Sequence, residues 1–282
     1  FKALETHLYS CYIKGQLKGE DFDTAVIYSD RTAEIAVKAI NAKRFLMFYH
    51  HGAMRKEYHD RYGYEKSEKI IAVSENIANK LKAYRKKYAN KIVAVNNVID
   101  IDSIAEKSKE PVEEGLFKEN SFNIVSCGRF AKDKGFDLAV EACRLLVENN
   151  YQNINWVFVG DGPEKESIEK QIAVYGLEHY IKLTGMKKNP YPYIARADLF
   201  VQPSRVESFG LTIAEAMVLG VPVLSTQTDG AKEIFEVKNN GLLCKISGND
   251  IFDGIRKLKT ERPRYSEVSS VFREKNENVI EL

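Results

Sequence analysis

The stretch DLFVQPSRVESFGLTIAEAMVLGVPVLST, residues 198–226, reads as strand, loop, helix and strand. DLFVQPS (198–204) and VPVLST (221–226) are apolar on both faces, as buried parallel strands are. LTIAEAMVLG (211–220) between them reads as a helix. Strand, helix and strand in succession make a βαβ unit, the building block of an α/β fold. The loop carries Glu207, and Glu215 follows on the first turns of the helix. Two glutamates at this spacing are unremarkable alone, because glutamate is abundant. Their placement on either side of a strand-to-helix turn is what gives them interest.

The same alternation extends outward in both directions. Strands are expected at 122–129, 155–160, 181–185 and 241–245, and helices at 135–149 and 163–176. Nearer the start, strands are expected at 24–29, 44–50, 69–74 and 91–97, with helices at 31–41 and 76–88. Residues 101–120 are polar and charged, hold Pro111 and Gly115, and read as a linker. The fold class is therefore α/β, with two Rossmann-like halves. The domains are expected at 1–105 and 106–265, followed by a C-terminal helix within 266–282 that returns to the first domain. The first half shows four strands, without the opening strand and glycine-rich loop usual for such a half. The chain begins at Phe1 rather than Met, so several opening elements are expected to be missing.

At 282 residues the chain exceeds one compact core, and two domains are the prior. No apolar run approaches a bilayer span. Cys11, Cys127, Cys143 and Cys244 fit neither a zinc ribbon nor a redox pair, and a reducing cytoplasm is the simplest home. The net charge is +2, unevenly spread: residues 1–100 hold 18 Lys and Arg against 12 Asp and Glu, and the remainder 24 against 28. The densest basic run, 80–91, contains Lys80, Lys82, Arg85, Lys86, Lys87 and Lys91. It reads either as a solvated helix face or as a patch for anionic membrane at the inner leaflet.

Several clusters carry chemistry. In SCGRFAKDKGFDLAVEA (126–142), Gly128 permits a turn at a strand's end, and Arg129 and Lys134 precede a helix. Two cations at a strand's carboxyl end suit a diphosphate. In GDGPEKES (160–167), Gly160 and Gly162 resemble part of a dinucleotide fingerprint, but the third glycine is missing. A tight turn with Pro163 at the first helical position is the simpler reading. Gly210, Leu211 and Thr212 open the helix after Glu207, where backbone N–H groups offer an anion site. In FLMFYHHGAMRKEYHD (45–60), His50 and His51 stand at a strand's end as candidate contacts or acid–base groups. Glu57, His59 and Asp60 lie nearby, but the spacing matches no common metal site. The triplets DFD (21–23) and DID (100–102) are of a kind some sugar transferases use to hold a metal, and are easily chance here.

Together these segments resemble the family 4 glycosyltransferases of the GT-B fold over nearly the whole chain. The likeness is densest at 189–234, with the paired glutamates, the EAM-LG-PV unit and a Gly-x-x-Glu turn. CGRFAKDKG, KIIAVSENIANKL and KIVAVNNVID resemble further family blocks in the same order. The resemblance implies two Rossmann-like domains facing a cleft and retaining transfer of a sugar from a nucleotide-diphosphate donor. A UDP-sugar is the expected donor, a glycan or lipid-linked glycan the acceptor, with no metal and no nucleic acid. By resemblance, Arg129 and Lys134 hold the diphosphate beside Gly128, and Glu207 contacts the transferred sugar. The segment Ser208, Phe209, Gly210, Leu211 and Thr212 binds sugar hydroxyls and phosphate, and Glu215 binds the ribose. His50 best matches the acceptor-side histidine, with His51 competing. Family members usually carry Gly where this chain has Ser208. A cytoplasmic enzyme of surface polysaccharide or glycoconjugate synthesis follows, peripheral at the membrane. A sugar-nucleotide epimerase on the same fold and a non-catalytic subunit are the rival readings.

Overall fold

The computed structural model describes residues 2–51, 54, 61–237, 241–261, 272–274 and 276. The chain divides into two compact units, Phe1–Asn97 and Val98–Leu282.

The first unit begins with helix α1 (Lys2–Gln16) and strand β1 (Asp21–Ile27). Helix α2 (Ala33–Ala39) leads to β2 (Asn41–Tyr49), and α3 (Arg61–Lys66) to β3 (Lys69–Ala72). Helix α4 (Glu75–Tyr84) and a 3-10 turn precede β4 (Ile92–Ala94). The four strands pair in parallel in the order β1-β2-β3-β4. Met47, Ile70, Ala72, Ile77 and Leu81 pack between sheet and helices. Ser74 caps α4, its hydroxyl accepting from the Ile77 amide at 3.3 Å.

In the second unit α5 (Ile101–Lys107) and β5 (Phe122–Cys127) are followed by α6 (Phe136–Glu148) and β6 (Ile154–Val159). Then come α7 (Lys165–Val174), β7 (Ile181–Leu183), α8 (Tyr191–Ala195) and β8 (Leu199–Gln202). The unit continues with α9 (Leu211–Val218), β9 (Val223–Thr226), α10 (Asp229–Val237), β10 (Gly241–Cys244) and α11 (Gly248–Glu261). Six parallel strands form one sheet in the order β10-β9-β8-β5-β6-β7. Strands β6, β8 and β9 are buried along their whole length, which is why they lie in largely apolar runs. The core beside them holds Trp156, Phe158, Phe130 and Phe136, the aromatic rings meeting edge to face.

Two expectations need correction. Residues 101–107 are helical rather than linker: the Asp100 carboxylate accepts from the Ser103 amide at 3.1 Å, and Ile101 and Ile104 are buried. Helix α7 begins at Lys165, so Pro163 lies outside its first turn. The two Asp-x-Asp triplets make contacts within the fold. Asp21 and Asp23 bind Asn41 and Lys43 on the neighbouring strand, while Asp100 caps α5 and Asp102 takes the Arg273 guanidinium. The helix expected within 266–282 falls mostly outside the described residues; 272–274 are helical.

Candidate functional site

The second sheet reverses its winding between β5 and β8. From β5 the chain passes to β6 and β7 on one side, then crosses to β8, β9 and β10 on the other. The loops leaving β5 and β8 therefore diverge, and open α/β sheets hold their ligands in the crevice at such a point. Gly128, Arg129 and Lys134 lie in the loop after β5, and Glu207, Ser208, Phe209 and Gly210 in the loop after β8.

These loops meet side chain to side chain. Lys134 Nζ lies 2.6 Å from Glu207 Oε1. Glu207 is only 9% exposed, and the same oxygen accepts from Ser204 Oγ at 2.8 Å and Gln202 Nε2 at 3.2 Å. Gln202 in turn accepts from Thr212 Oγ1 at 2.8 Å through its own Oε1. One buried chain of hydrogen bonds thus joins the start of α9 to the lysine of the other loop.

The backbone holds the loops together as well. The Arg205 guanidinium forks onto Asp137 at 2.7 and 2.6 Å, and the amides of Arg205 and Val206 donate to the Asp133 carbonyl. Burial alone would push the Asp137 carboxyl up, but the Arg205 fork and the backbone amides of Asp137 and Leu138 together outweigh it and lower the group's pKa. Gly135, at φ +68°, sits in the left-handed region, and a Cβ there would lie 2.1 Å from the Pro203 carbonyl oxygen. Arg129 differs from Lys134. Its side chain is 68% exposed, and its guanidinium is 3.9 Å from Asp133.

Helix α9 starts at Gly210 without a side-chain cap. Its first bonds run from the amides of Ile213 and Ala214 to the Gly210 carbonyl, so the amides of Leu211 and Thr212 precede the ladder. About one turn later Glu215 accepts from the Tyr191 hydroxyl at 3.2 Å. Burial raises the Glu215 carboxyl above the usual glutamate value, and Tyr191 offsets part of that. Burial and the Glu215 charge together push the Tyr191 phenol up to about 12. Burial also pushes the neighbouring Cys127 thiol up to about 12, which leaves it inert as a nucleophile at neutral pH.

Gly160 and Gly162 answer to packing rather than to a dinucleotide. A Cβ on Gly160 would meet the Gly128 carbonyl oxygen at 1.9 Å, and one on Gly162 the Phe130 carbonyl oxygen at 2.4 Å. The loop after β6 is pressed against the loop after β5, with Phe130 N donating to Asp161 O.

In the first unit the two histidines take different environments. His50 stacks on Phe48, which stacks on Tyr28, at centroid distances of 5.8 and 5.1 Å. Burial, then the neighbouring His51, lowers the His50 pKa, while Asp30 opposes them. His51 Nε2 lies 3.1 Å from Oδ1 of Asp30, a carboxylate only 1% exposed. Neither Asp30 oxygen has an aligned hydrogen-bond donor among the described residues. The metal candidates Glu57, His59 and Asp60 lie outside the described residues, among which no cluster of three such ligands occurs.

The basic run is not one uniform patch. Lys80, Lys86 and Lys87 are exposed, although Lys87 pairs with Glu65 at 2.8 Å. Arg85 lies over the rings of Tyr64 and Tyr84. Lys91 turns inward, its ammonium donating to the carbonyls of Glu65 and Ser67 at 2.8 Å each, just past the end of α3. No helix among the described residues is long and apolar enough to cross a membrane.

Sequence reasoning passed over Gln202, Ser204, Arg205 and Tyr191. A signal for the first was present: Gln202 is the polar residue in an otherwise apolar strand, and it is 2% exposed.

The pattern of the family described as "Glycosyl transferases group 1" matches residues 107–278. An uncharacterized glycosyltransferase of Methanocaldococcus jannaschii is 30% identical over 178 residues, 62% of this chain and 43% of that protein. The lipopolysaccharide core biosynthesis glycosyltransferase LpsE of Rhizobium meliloti is 30% identical over 129 residues, 46% of this chain and 36% of that protein. The chain thus spans less than half the length of these curated relatives. Among solved structures, Anabaena HepE in complex with UDP and glucose aligns with a TM-score of 0.75 at 18% identity. That alignment covers 97% of this chain and 80% of HepE, a likeness of fold, the GT-B fold.

Proposed function

The chain belongs to the glycosyl transferases group 1 family, and on that premise we propose that it moves a sugar from a nucleotide-diphosphate donor to a glycan or lipid-linked acceptor. The observation that carries this reading is the Lys134–Glu207 pair at the reversal of the second sheet, beside the uncapped start of α9. A cation, a carboxylate and free helix amides at one sheet edge suit a ligand that is part diphosphate and part sugar.

In this reading Arg129, Lys134 and the amides near Leu211 and Thr212 take the diphosphate. Lys134 is already matched by Glu207, so its remaining N–H donors serve the phosphate and Arg129 supplies charge that Glu207 does not neutralise. Glu207 contacts the transferred sugar, Ser208 to Gly210 line it, and Glu215 accepts from the ribose hydroxyls. UDP is the preferred nucleotide: the solved HepE structure, which shares the fold, holds UDP and glucose. LpsE, the lipopolysaccharide relative, supports an acceptor in surface glycan synthesis.

The step breaks the bond between the sugar's anomeric carbon and the diphosphate oxygen, which keeps the electron pair. An oxocarbenium-like centre develops, as in glycoside hydrolysis. The acceptor hydroxyl attacks from the face the diphosphate leaves, and its proton passes to a departing phosphate oxygen. Configuration is thereby retained, and the fixed cations and amides stabilise the developing charge. The residues of this site supply that stabilisation without recourse to a metal. Of the two histidines, His50 is the acceptor-side candidate, stacked on Phe48, with His51 competing beside the Asp30 carboxylate. Exposed Lys80 and Lys86 remain candidates for peripheral contact with anionic lipid at the cytoplasmic face.

Thermal melts with UDP, GDP and ADP, followed by chromatography of UDP-sugars incubated with the chain, test this reading. Stabilisation by one nucleotide and release of that nucleotide from its sugar donor are expected. No shift with any nucleotide and no donor consumption would contradict it.

A further inference from the structure

Gln202 belongs to none of the roles above, yet its buried side chain is among the well-connected ones in the site. It closes β8, is 2% exposed, and reaches three partners with one amide. Glu207, when ionised, only accepts, so the Gln202 amino group must face it. Nε2 lies 3.2 Å from Glu207 Oε1 and 2.7 Å from Ser204 Oγ. The amide oxygen then faces the other way and takes the Thr212 hydroxyl at 2.8 Å. The charge on Glu207 thereby fixes the amide's orientation, and the amide fixes the hydroxyl at the start of α9.

The consequence falls on Glu207. Its Oε1 collects three donors, from Lys134, Ser204 and Gln202, more than its lone pairs can share with a ligand as well. Its Oε2 has no partner among the described residues and is not among their buried unsatisfied atoms. Ser204, 0% exposed, is itself held at its carbonyl by the Thr226 hydroxyl from β9. The carboxylate is thus anchored by one oxygen and presented by the other.

We propose that Gln202 is a positioning residue, which locks the Glu207 carboxylate so that Oε2 alone faces the donor sugar and couples that carboxylate to the helix start that takes the phosphate. This rests on the donor-site reading above. It predicts that losing Gln202 harms the sugar-dependent step while leaving nucleotide binding in place.

The test uses Gln202→Met, close in volume and without the amide, and Thr212→Val, which cuts only the relay's outer bond. UDP affinity is measured by calorimetry and turnover with UDP-glucose and UDP-N-acetylglucosamine. Gln202→Met is expected to keep UDP affinity within about twofold and to lose about 10- to 100-fold in kcat, the range of a removed hydrogen bond to a charged group. Thr212→Val should lose less, and Gln202→Asn, with a shorter amide, should not restore kcat. Wild-type kcat in Gln202→Met overturns the proposal, as does an equal loss in UDP affinity and kcat. If Gln202→Met does not fold, Thr212→Val decides by the same two readouts. If the wild-type chain turns over neither donor, the donor-site reading fails, and a crystal structure of Gln202→Met judges positioning separately. A shifted Glu207 carboxylate there supports it, and an unmoved one overturns it.

Discussion

Lys134 Nζ and Glu207 Oε1 lie 2.6 Å apart across 73 residues of sequence, and this contact joins the two loops at the sheet's reversal. Replacing Lys134 with Ala leaves a mostly buried carboxylate with two neutral donors. A melting-point loss corresponding to about 1–3 kcal/mol is expected. Turnover should fall about 100-fold or more, because a cation aimed at the developing charge is gone. Adding Glu207→Gln to Lys134→Ala should recover part of the stability and none of the turnover. Additive stability losses in the double variant would show that the pair is not coupled.

Arg129 makes a contrasting prediction. Its side chain is 68% exposed and its ion pair with Asp133 is long, so Arg129→Ala should leave the melting temperature nearly unchanged. Donor turnover should still drop at least tenfold, since Arg129 carries the charge that Glu207 does not neutralise. Melting curves and initial rates on one preparation separate the two effects.

Burial raises the Glu215 carboxyl above its value in the unfolded chain, so the folded state binds the proton more readily. The sign follows: Glu215 favours folding at low pH, and that contribution is lost as pH rises through the raised folded value. Glu215→Gln should therefore melt higher than wild type at neutral pH, with the difference shrinking on acidification. The same substitution should weaken UDP binding about tenfold, read by calorimetry. A variant less stable than wild type at pH 7 would contradict the burial argument.

Glu113 behaves in the opposite sense. Lys187 and the Tyr193 hydroxyl hold its carboxyl down at about 2. Its stabilising contribution is present above the unfolded pKa and is lost as pH falls toward 2. About half of the side chain is exposed, so screening limits the effect to about 1 kcal/mol or less. Acid-induced unfolding of Glu113→Gln should accordingly show a slightly shallower dependence on pH, with activity unchanged.

His50 and His51 are separated by one experiment. His50→Ala should reduce transfer to the acceptor, because its ring stands at the end of β2 as the acceptor-side candidate. His51→Ala and Asp30→Asn should cost less. UDP binding should be unaffected in all three. A larger loss for His51→Ala would reverse the assignment.

Much of the sheet architecture is legible in the sequence, because β6, β8 and β9 are buried on both faces and lie in largely apolar runs. Among the helices that escape notice are α5, seven residues under a polar stretch, and α8, five residues after Pro190. Helices so short form only against a finished core, so their own pattern says little. Helix α11 is different: Ile251, Phe252, Ile255 and Leu258 make a buried stripe at helical spacing that could have been read. At the site, local motifs placed Lys134 and Glu207 on separate loops, but no local rule pairs residues 73 apart. Only the strand order brings their loops together. The basic run shows the opposite limit, since charge alone cannot say that Lys91 faces three backbone carbonyls.

The most direct measurement is a crystal structure of the chain with UDP-glucose. The account predicts the diphosphate within hydrogen-bonding reach of Arg129, Lys134 and the amides at the start of α9, the ribose on Glu215, and the glucose on Glu207. Nucleotide bound away from the loops after β5 and β8, with Lys134 and Glu207 untouched, would contradict it.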